Sequence, residues 1–158
     1  MVGFGYDIHR LAADNSLILG GITIDSPIGT IAHSDGDVLI HAIIDALLGA
    51  SGLGDIGELF PDTDMKYKNV SSVALLENVM EKISEAAFDI INIDCQIVLE
   101  APKLKQYKSE IKKNIARICQ LSNKDRVSIK ATTHEKLGPL GKSEGIAVYA
   151  IAQLKQRV

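Results

Sequence analysis

The last apolar segment of the chain, IAVYAIAQL at residues 146–154, limits most strongly how the chain can fold. Its pattern predicts a β-strand that is apolar on both faces. A strand of this kind must be covered on both faces, either by helices or by another subunit. We therefore expect it to lie in the interior of a sheet that such partners cover.

The rest of the chain mixes segments of strand periodicity with segments of helix periodicity. Gly20 and Gly21 separate two short apolar runs, which is typical of a β-hairpin. Asp35 or Asp37 is a candidate N-cap for the aliphatic helix that follows. We predict strands at 1–10, 91–99, 126–133 and 146–154, a hairpin at 16–26, helices at 37–51, 70–88 and 104–121, and loops at 52–69 and 134–145. This order predicts an α/β (or α+β) fold, with helices packed on one mainly four-stranded sheet and a small N-terminal hairpin.

The composition restricts the classes of protein to which the chain can belong. Its 158 residues suffice for one domain with its own core, and we predict a single domain over 1–158. The net charge of −3 provides no basic field, which argues against nucleic acid as a partner. The sequence has neither an apolar run of membrane-spanning length nor a signal-peptide pattern, so we expect a cytoplasmic protein without a membrane partner. Cys95 and Cys119 fall in apolar patterns and are expected to be core residues.

The opening segment GYDIHR carries a carboxylate and an imidazole two residues apart. Asp7 and His9 would point to the same face of a strand, roughly 6.5 Å apart. A catalytic metal site needs a third protein ligand, and His41 is the best candidate because it forms a polar stripe with Asp37 and Asp45 on an aliphatic helix. Two interpretations stay open from spacing alone: a zinc site of Asp7, His9 and His41, or a surface pair beside a hydrogen-bonded helix histidine.

Four other segments carry groups that suit phosphate or a cation, although each also has an ordinary structural interpretation. His33, Ser34 and Gly36 precede a helix, where free N–H groups favour anions or simply form an N-cap turn. KATTHEK, residues 130–136, suits a phosphate with a hard cation, or is a solvated loop. FPDTD at 60–64 and EAPK at 100–103 are also typical of turns and connections. Because all four histidines of the chain lie beside carboxylates, hydroxyls or glycine turns, the pattern favours a metal-dependent phosphate enzyme.

The chain closely resembles the 2-C-methyl-D-erythritol 2,4-cyclodiphosphate synthase family in five segments: GYDIHR, LGG, AHSDGDVLIHAIIDALLGASGLGDIGELFPDTD, APK and KATTHEKLG…GKSEGIA. The resemblance covers nearly the whole chain. It implies conversion of 4-diphosphocytidyl-2-C-methyl-D-erythritol 2-phosphate to the 2,4-cyclodiphosphate and CMP in non-mevalonate isoprenoid biosynthesis. The implied enzyme is a phosphorus–oxygen lyase that works by metal-assisted intramolecular phosphoryl transfer. It also implies a homotrimer whose active sites lie between neighbouring subunits. Two alternatives remain: a non-catalytic trimer that binds metal and nucleotide, and a zinc-dependent phosphoesterase.

The resemblance also implies roles for individual residues. The implied Zn²⁺ ligands are Asp7, His9 and His41, and the implied ligand of a second cation, Mg²⁺ or Mn²⁺, is Glu135. The implied catalytic residues are His33, Asp62 and Thr133. The implied contacts with the cytidyl diphosphate substrate are Asp7, His9, His33, Ser34, Asp55, Ile56, Gly57, Phe60, Pro61, Asp62, Thr63, Asp64, Ala101, Pro102, Lys103, Leu104, Lys105, Ala131, Thr132, Thr133, His134, Glu135 and Lys142.

Three positions depart from what is common in that family. His134 stands where Thr or Ser is frequent, next to the implied ligand of the second cation. Pro139 replaces a frequent aromatic residue, and Lys142 replaces a frequent Arg. The last two leave open whether this chain has the isoprenoid-diphosphate site that some members carry on the threefold axis.

Overall fold

A computed structural model describes residues 1–32, 34–61, 63, 65–67 and 70–157 of the chain. The strands are β1 (Val2–Ala13), β2 (Leu17–Leu19), β3 (Ile22–Ile24), β4 (Ile28–Ile31), β5 (Phe88–Val98), β6 (Val127–Thr132) and β7 (Gly145–Gln156). The helices are α1 (Val38–Ser51), α2 (Ile56–Leu59), α3 (Ser72–Glu85), α4 (Lys108–Ile118) and α5 (Gly138–Gly141), with short 3₁₀ turns at Met65–Tyr67 and Lys124–Arg126. The predicted long helices and strands are therefore confirmed, and the two predicted loops contain α2 and α5.

Within the described residues the main sheet has five strands in the order β4-β1-β7-β5-β6. Only the pair β5 and β6 is parallel among the pairings of this sheet that the structure describes. The prediction of a mainly four-stranded sheet was wrong by one strand, because β4 adds to β1 through the pairs from Arg10–Ile31 to Ala13–Ile28. With four residues, β4 is too short to show a clear alternation in the sequence.

The predicted hairpin is confirmed and forms a separate two-stranded sheet of β2 and β3. Gly20 and Gly21 make its turn with φ angles of 62° and 75°, a left-handed conformation that glycine adopts at little cost. Asp37 is the N-cap of α1, and its Oδ1 accepts the backbone N–H of Ile40 at 3.0 Å. The same buried carboxylate accepts the N–H groups of Gly20 and Gly21, at 3.0 and 2.7 Å. Asp37 therefore joins the hairpin turn to the first turn of α1.

Helix α1 lies directly against β1 with no side chain between the two backbones. A Cβ atom added at Gly3 would lie 2.0 Å from the carbonyl oxygen of Ala46, and one at Gly5 would lie 1.9 Å from that of Ala42. Such distances are far below van der Waals contact, so only glycine permits this approach. Alternate residues of a strand share a face, so the face that carries Gly3 and Gly5 continues into Asp7 and His9. The helix that covers the glycines consequently reaches these two side chains.

The opposite face of the sheet is exposed and apolar. Its side chains include Phe4 and Tyr6 of β1, which are 61% and 42% exposed, and Tyr149 and Ile151 of β7, which are 42% and 45% exposed. The rings of Tyr6 and Tyr149 lie 5.0 Å apart between centroids. Within the described residues of one chain, α1 covers one face of β7, and the expectation that a helix or another subunit covers the other face stays a prediction. We call Val2, Phe4, Tyr6, Ile8, Tyr149 and Ile151 the outer apolar face.

Two further expectations concern the cysteines and the membrane. Cys95 and Cys119 are buried free thiols, as predicted. None of the helices that the structure describes is both long enough and apolar enough to cross a membrane.

The glycine contact generates a stability prediction with a matched control. Gly5→Ala should lower the free energy of unfolding by about 1–3 kcal/mol or more, because the added methyl group forces α1 away from β1. Gly49→Ala, on the exposed side of α1 with only one atom as near as 4.0 Å, should raise it by about 0.5–1 kcal/mol through helix propensity. Urea unfolding of the two variants measures both effects. Equal stability of Gly5→Ala and the wild type would contradict the contact.

Candidate active site

Asp7, His9 and His41 form one compact cluster between β1 and α1. Their candidate ligand atoms all lie within 4.8 Å of one another. The Oδ2 atom of Asp7 lies 3.1 Å from Nδ1 of His9 and 3.0 Å from Nδ1 of His41. The other oxygen of Asp7 accepts the backbone N–H of Ile8 at 2.9 Å, which fixes the rotation of the carboxylate. The predicted grouping of these three residues is therefore confirmed.

The donor set of this cluster fits a divalent metal such as Zn²⁺. Two imidazoles and one carboxylate are a common set of three ligands at catalytic zinc sites, where the fourth position remains open for another ligand. The Nδ1 atom of His9 is buried and, among the described residues, has no hydrogen-bond partner of acceptable geometry. A buried polar atom without a partner is costly, and a cation placed among the three ligand atoms would remove that cost. The side chains are 13–25% exposed, so the cluster is partly open to small ligands.

Electrostatics also favour a cation in the cluster. Burial alone would raise the pKa of Asp7, but the hydrogen bond with His41 and the nearby imidazole of His9 outweigh it and lower the pKa to about 2. Burial would lower the pKa of His41, but the hydrogen bond and the charge of Asp7 outweigh it and raise that pKa above its ordinary 6.5. Both shifts arise because the Asp7 carboxylate and the His41 ring each stabilise the charged form of the other. The cluster therefore attracts a positive charge to the space between its ligand atoms.

The turn before α1 lies next to the cluster in the chain. Ser34 is half-buried there, and its hydroxyl accepts the N–H of Gly36 at 3.2 Å. Gly36 has a φ of 67°, which lets the chain turn into the helix. The position of Ser34 at the N-terminal end of a long helix suits a phosphate group. His33, predicted for the same turn, lies outside the described residues.

The segment 55–61 is anchored to α1 by a residue that we had not assigned to the site. Asp55 caps α2 by accepting the N–H of Glu58 at 2.8 Å. The N–H of Ile56 donates to Asp45 of α1 at 2.9 Å. Burial raises the pKa of Asp45 above its ordinary value. Of the polar stripe, Asp45 thus holds the start of the segment 55–61, and Asp37 holds the hairpin turn.

The other predicted residues of this loop have varied positions. Gly57 belongs to α2, and Phe60 is buried with its ring in an edge-to-face contact with Tyr67 at 5.2 Å between centroids. Pro61 is half-buried and Thr63 is exposed. Asp62 and Asp64 lie outside the described residues.

Two further predicted segments meet at the adjoining ends of β5 and β6. The N–H of Leu99 donates to the carbonyl of Thr132 at 3.0 Å, and the N–H of His134 donates to Glu100 at 3.0 Å. Thr133 and Glu135 bond to each other, since the N–H of Glu135 donates to the Thr133 hydroxyl, which donates back to its carboxylate, both at 3.3 Å. The segments 100–105 and 131–135 are therefore adjacent.

The individual side chains of these segments differ in exposure. The exposed ones are Ala101, Lys103, Lys105, Thr132, His134, Glu135 and Lys142, and the partly or fully buried ones are Pro102, Leu104, Ala131 and Thr133. The Ala101–Pro102 peptide bond is cis. The end of α5 carries Lys142, whose N–H donates to the carbonyl of Gly138 at 3.1 Å. The implied nucleotide and second-cation residues thus lie mainly on an open surface.

The structure does not bring the two groups of residues together within the described part of one chain. Asp7 pairs with Val148, which pairs with Ile97, which pairs with Ala131. Three strand spacings along this row separate β1 from β6 by about 14 Å. We call the cluster of Asp7, His9 and His41 one half-site of the implied active site, and the segments 100–105 and 131–135 the other half-site.

Ser72 and Asp35 are two further residues that contact the cluster without having been predicted as part of it. The Nε2 atom of His41 lies 2.9 Å from the hydroxyl of Ser72, which in turn bonds to Asp35. These pairs are 31 and 37 residues apart in the chain. No periodicity or motif in a single sequence signals such long-range contacts.

Comparison with known proteins identifies relatives over the full length of the chain. Residues 1–155 match the model of the YgbB family. The 2-C-methyl-D-erythritol 2,4-cyclodiphosphate synthase of Enterococcus faecalis is 52% identical over 155 residues, which cover 98% of each protein. IspF from Plasmodium falciparum, solved as a CDP complex, superposes with a TM-score of 0.87 at 34% identity, covering 99% of this chain and 96% of that one. The bifunctional IspDF from Campylobacter jejuni superposes with a TM-score of 0.94 at 47% identity, covering 99% of this chain and 42% of that one.

The geometry of the cluster predicts a metal-binding defect in one histidine variant and none in another. His41→Ala removes one of the three convergent ligands, so we expect stoichiometric Zn²⁺ binding to be lost. His134→Ala, on an exposed loop outside the cluster, is the matched control and should bind Zn²⁺ as the wild type does. Elemental analysis after dialysis against limiting Zn²⁺ measures the content of both variants. Full occupancy in His41→Ala would remove this residue from the ligand set.

Proposed function

The chain belongs to the YgbB family, and we propose that it catalyses the ring closure for which its relatives are named. It converts 4-diphosphocytidyl-2-C-methyl-D-erythritol 2-phosphate to 2-C-methyl-D-erythritol 2,4-cyclodiphosphate and CMP. The observation that supports this function most directly is the Asp7–His9–His41 cluster, formed in a chain that matches named synthases over nearly its whole length. We assign the reaction to one domain, residues 1–158, and to the phosphorus–oxygen lyases.

The reaction transfers a phosphoryl group within one molecule. An oxygen of the 2-phosphate forms a bond to the β-phosphorus of the diphosphate. The bond from that phosphorus to the oxygen of the cytidine phosphate breaks, and CMP leaves with the electron pair. Because one anion approaches another, the reaction needs positive charge and accurate positioning more than it needs a protein nucleophile.

We assign the two cations to the two half-sites. Asp7, His9 and His41 would hold Zn²⁺, and Glu135 would hold a Mg²⁺ or Mn²⁺ ion that is otherwise bound mainly by phosphate oxygens. When bound, these ions withdraw charge from the diphosphate and from the departing CMP. Thr133 would orient the carboxylate of Glu135, because its hydroxyl donates to that carboxylate and accepts the backbone N–H of Glu135.

The remaining residues bind and enclose the substrate. The Ser34 hydroxyl, in the turn before α1, suits a phosphate, with His33 and Thr133 at the transferring group. The exposed lysines of the segment 100–105 suit the cytidine phosphate, and Leu104 gives that segment a buried anchor. The carboxylates of the segment 55–64, with Asp62 as the catalytic member, suit the free hydroxyl groups of the sugar alcohol rather than its phosphates, because like charges repel.

We further propose that three copies of the chain assemble so that neighbouring subunits contribute the two half-sites. Two observations support this arrangement. The half-sites lie about 14 Å apart across the sheet of one chain, too far for both to contact one diphosphate. The outer apolar face leaves Phe4, Tyr6 and Tyr149 exposed in a single chain, as at surfaces that bind another protein. Packing of the outer apolar faces around a threefold axis would bury these residues and bring neighbouring half-sites together.

Product analysis tests the proposed reaction directly. Purified protein with Zn²⁺ and Mg²⁺ should convert the cytidyl substrate to equimolar CMP and cyclodiphosphate, which ³¹P NMR distinguishes by two coupled diphosphate resonances. Release of inorganic phosphate would instead identify a phosphoesterase. Binding of CMP without turnover, in protein with full Zn²⁺ content, would identify a non-catalytic module.

Mixed trimers test whether neighbouring subunits share the site. His41→Ala and Glu135→Gln damage different half-sites, so each variant alone should lose most activity. Random co-assembly of equal amounts places two intact half-sites together in one of four combinations, so about a quarter of the wild-type activity should return. Purification through two affinity tags after co-expression removes the trimers of one variant alone. Every mixed trimer that remains has one intact site in three, so this purified fraction should show about a third of the wild-type activity. Activity that stays at the level of the single variants would show that one chain supplies the whole site.

A further inference from the structure

We propose that Ser72 and Asp35 are positioning residues that select the tautomer of His41 and thereby prepare it to bind the metal. This inference rests on the proposed metal site, and it adds two residues that take no part in ligation themselves. Both lie on elements other than the strand and helix that carry the three ligands: Asp35 in the turn before α1, and Ser72 at the first position of α3.

The contacts form a continuous relay from one carboxylate to the imidazole. Ser72 is fully buried, and its backbone N–H donates to Oδ2 of Asp35 at 2.9 Å. Its hydroxyl bonds to Oδ1 of the same carboxylate. The hydroxyl oxygen also lies 2.9 Å from Nε2 of His41. Asp35 therefore holds Ser72 by two bonds, and Ser72 holds the ring of His41.

Counting the protons of this relay determines the direction of each bond. The Ser72 hydroxyl has one proton, and both oxygens of the Asp35 carboxylate act as acceptors. The hydroxyl must therefore donate to Asp35, and its oxygen must accept from Nε2–H of His41. In the neutral ring only one nitrogen carries a proton, so Nδ1 then presents its lone pair.

The lone pair of Nδ1 faces the remaining ligand atoms of the cluster. Nδ1 of His41 lies 3.0 Å from Oδ2 of Asp7, which also lies 3.1 Å from Nδ1 of His9. An imidazole lone pair directed at a carboxylate oxygen is repulsive unless a cation lies between them. A protonated ring donates from Nδ1 to Asp7 as well. Once that proton is lost or a metal replaces it, the relay keeps the remaining proton on Nε2, so His41 can bind the metal through Nδ1. Partners of this kind fix the tautomer and the orientation of metal-binding histidines, and their loss typically lowers metal affinity about 10–100-fold.

A pair of adjacent serines provides the test and its control. Ser71→Ala removes the N-cap of α3, since the Ser71 hydroxyl accepts the N–H of Ala74 at 3.2 Å, so it should weaken the helix without reducing Zn²⁺ affinity. Ser72→Ala removes the relay at the next position and should lower Zn²⁺ affinity about 10–100-fold. Competition with a chromophoric chelator measures the affinity of each purified variant, and thermal unfolding measures the helix effect.

Asp35→Asn supplies a second variant that keeps the Ser72 hydroxyl and the volume of the side chain. Its amide oxygen can accept the N–H of Ser72, and its amide NH₂ can then donate to the hydroxyl oxygen, which reverses the relay. The Ser72 hydroxyl would then donate to Nε2 of His41, so Nδ1 would carry the proton. We expect the ¹H–¹⁵N spectrum of metal-free, histidine-labelled protein to move from the Nε2–H pattern of His41 towards the Nδ1–H pattern, together with a similar loss of Zn²⁺ affinity.

The outcomes separate failure of this inference from failure of the metal site. Wild-type protein that binds no Zn²⁺ would overturn the proposed site and the relay with it. Zn²⁺ binding by the wild type with unchanged affinity in Ser72→Ala and Asp35→Asn would overturn the relay alone. Equal losses in Ser71→Ala and Ser72→Ala would show that the effect comes from the helix. If Ser72→Ala does not fold, unchanged affinity and an unchanged His41 spectrum in Asp35→Asn would overturn the relay by themselves.

Discussion

The contact between α1 and β1 at Gly3 and Gly5 is the constraint on which the candidate site depends. A Cβ atom at either position would enter a backbone carbonyl of α1, at 2.0 and 1.9 Å. Because Gly3 and Gly5 have no side chains, α1 can lie directly on β1. Since alternate residues of a strand share a face, the side chain of Asp7 then points to the same helix. Three ligand atoms from a strand and a helix meet because the two backbones meet, and rigid elements hold such ligands more precisely than loops do.

The same arrangement separates the two half-sites to which we assign the proposed reaction. The sheet carries the metal cluster on β1 and the nucleotide segments beyond β5 and β6, with β7 between them. In the assembly that we propose, a diphosphate contacts the two groups on two neighbouring chains. The outer apolar face, with its tyrosine pair at 5.0 Å, supplies a surface for that chain on the side of the sheet that no helix of the described residues covers. The geometry of one sheet thus links the assembly that we propose to the proposed reaction.

Much of this arrangement could be predicted from the sequence, because it follows from local periodicity. The i, i+2 spacing of Asp7 and His9 and the stripe containing His41 left the cluster as one of two open interpretations, and the family resemblance implied it. The pair Gly20 and Gly21 predicted the hairpin turn. Strand β4 was missed since four residues carry too little pattern. The relay from Asp35 to Ser72 was missed because it joins residues 37 positions apart, and such contacts depend on how helices pack. Local patterns do not predict the separation of the half-sites either, since it depends on the order of strands in the sheet. Only the family resemblance implied active sites between neighbouring subunits.

Anomalous diffraction above the zinc absorption edge, from crystals grown with Zn²⁺ and CMP, tests the central claim most directly. The account predicts one strong anomalous peak per chain, within about 2.0–2.2 Å of Oδ2 of Asp7, Nδ1 of His9 and Nδ1 of His41. It also predicts that the CMP bound beside this peak contacts the segment 100–105 of a neighbouring chain. A zinc peak held by other residues, or a CMP enclosed by the same chain as its zinc, would contradict the account.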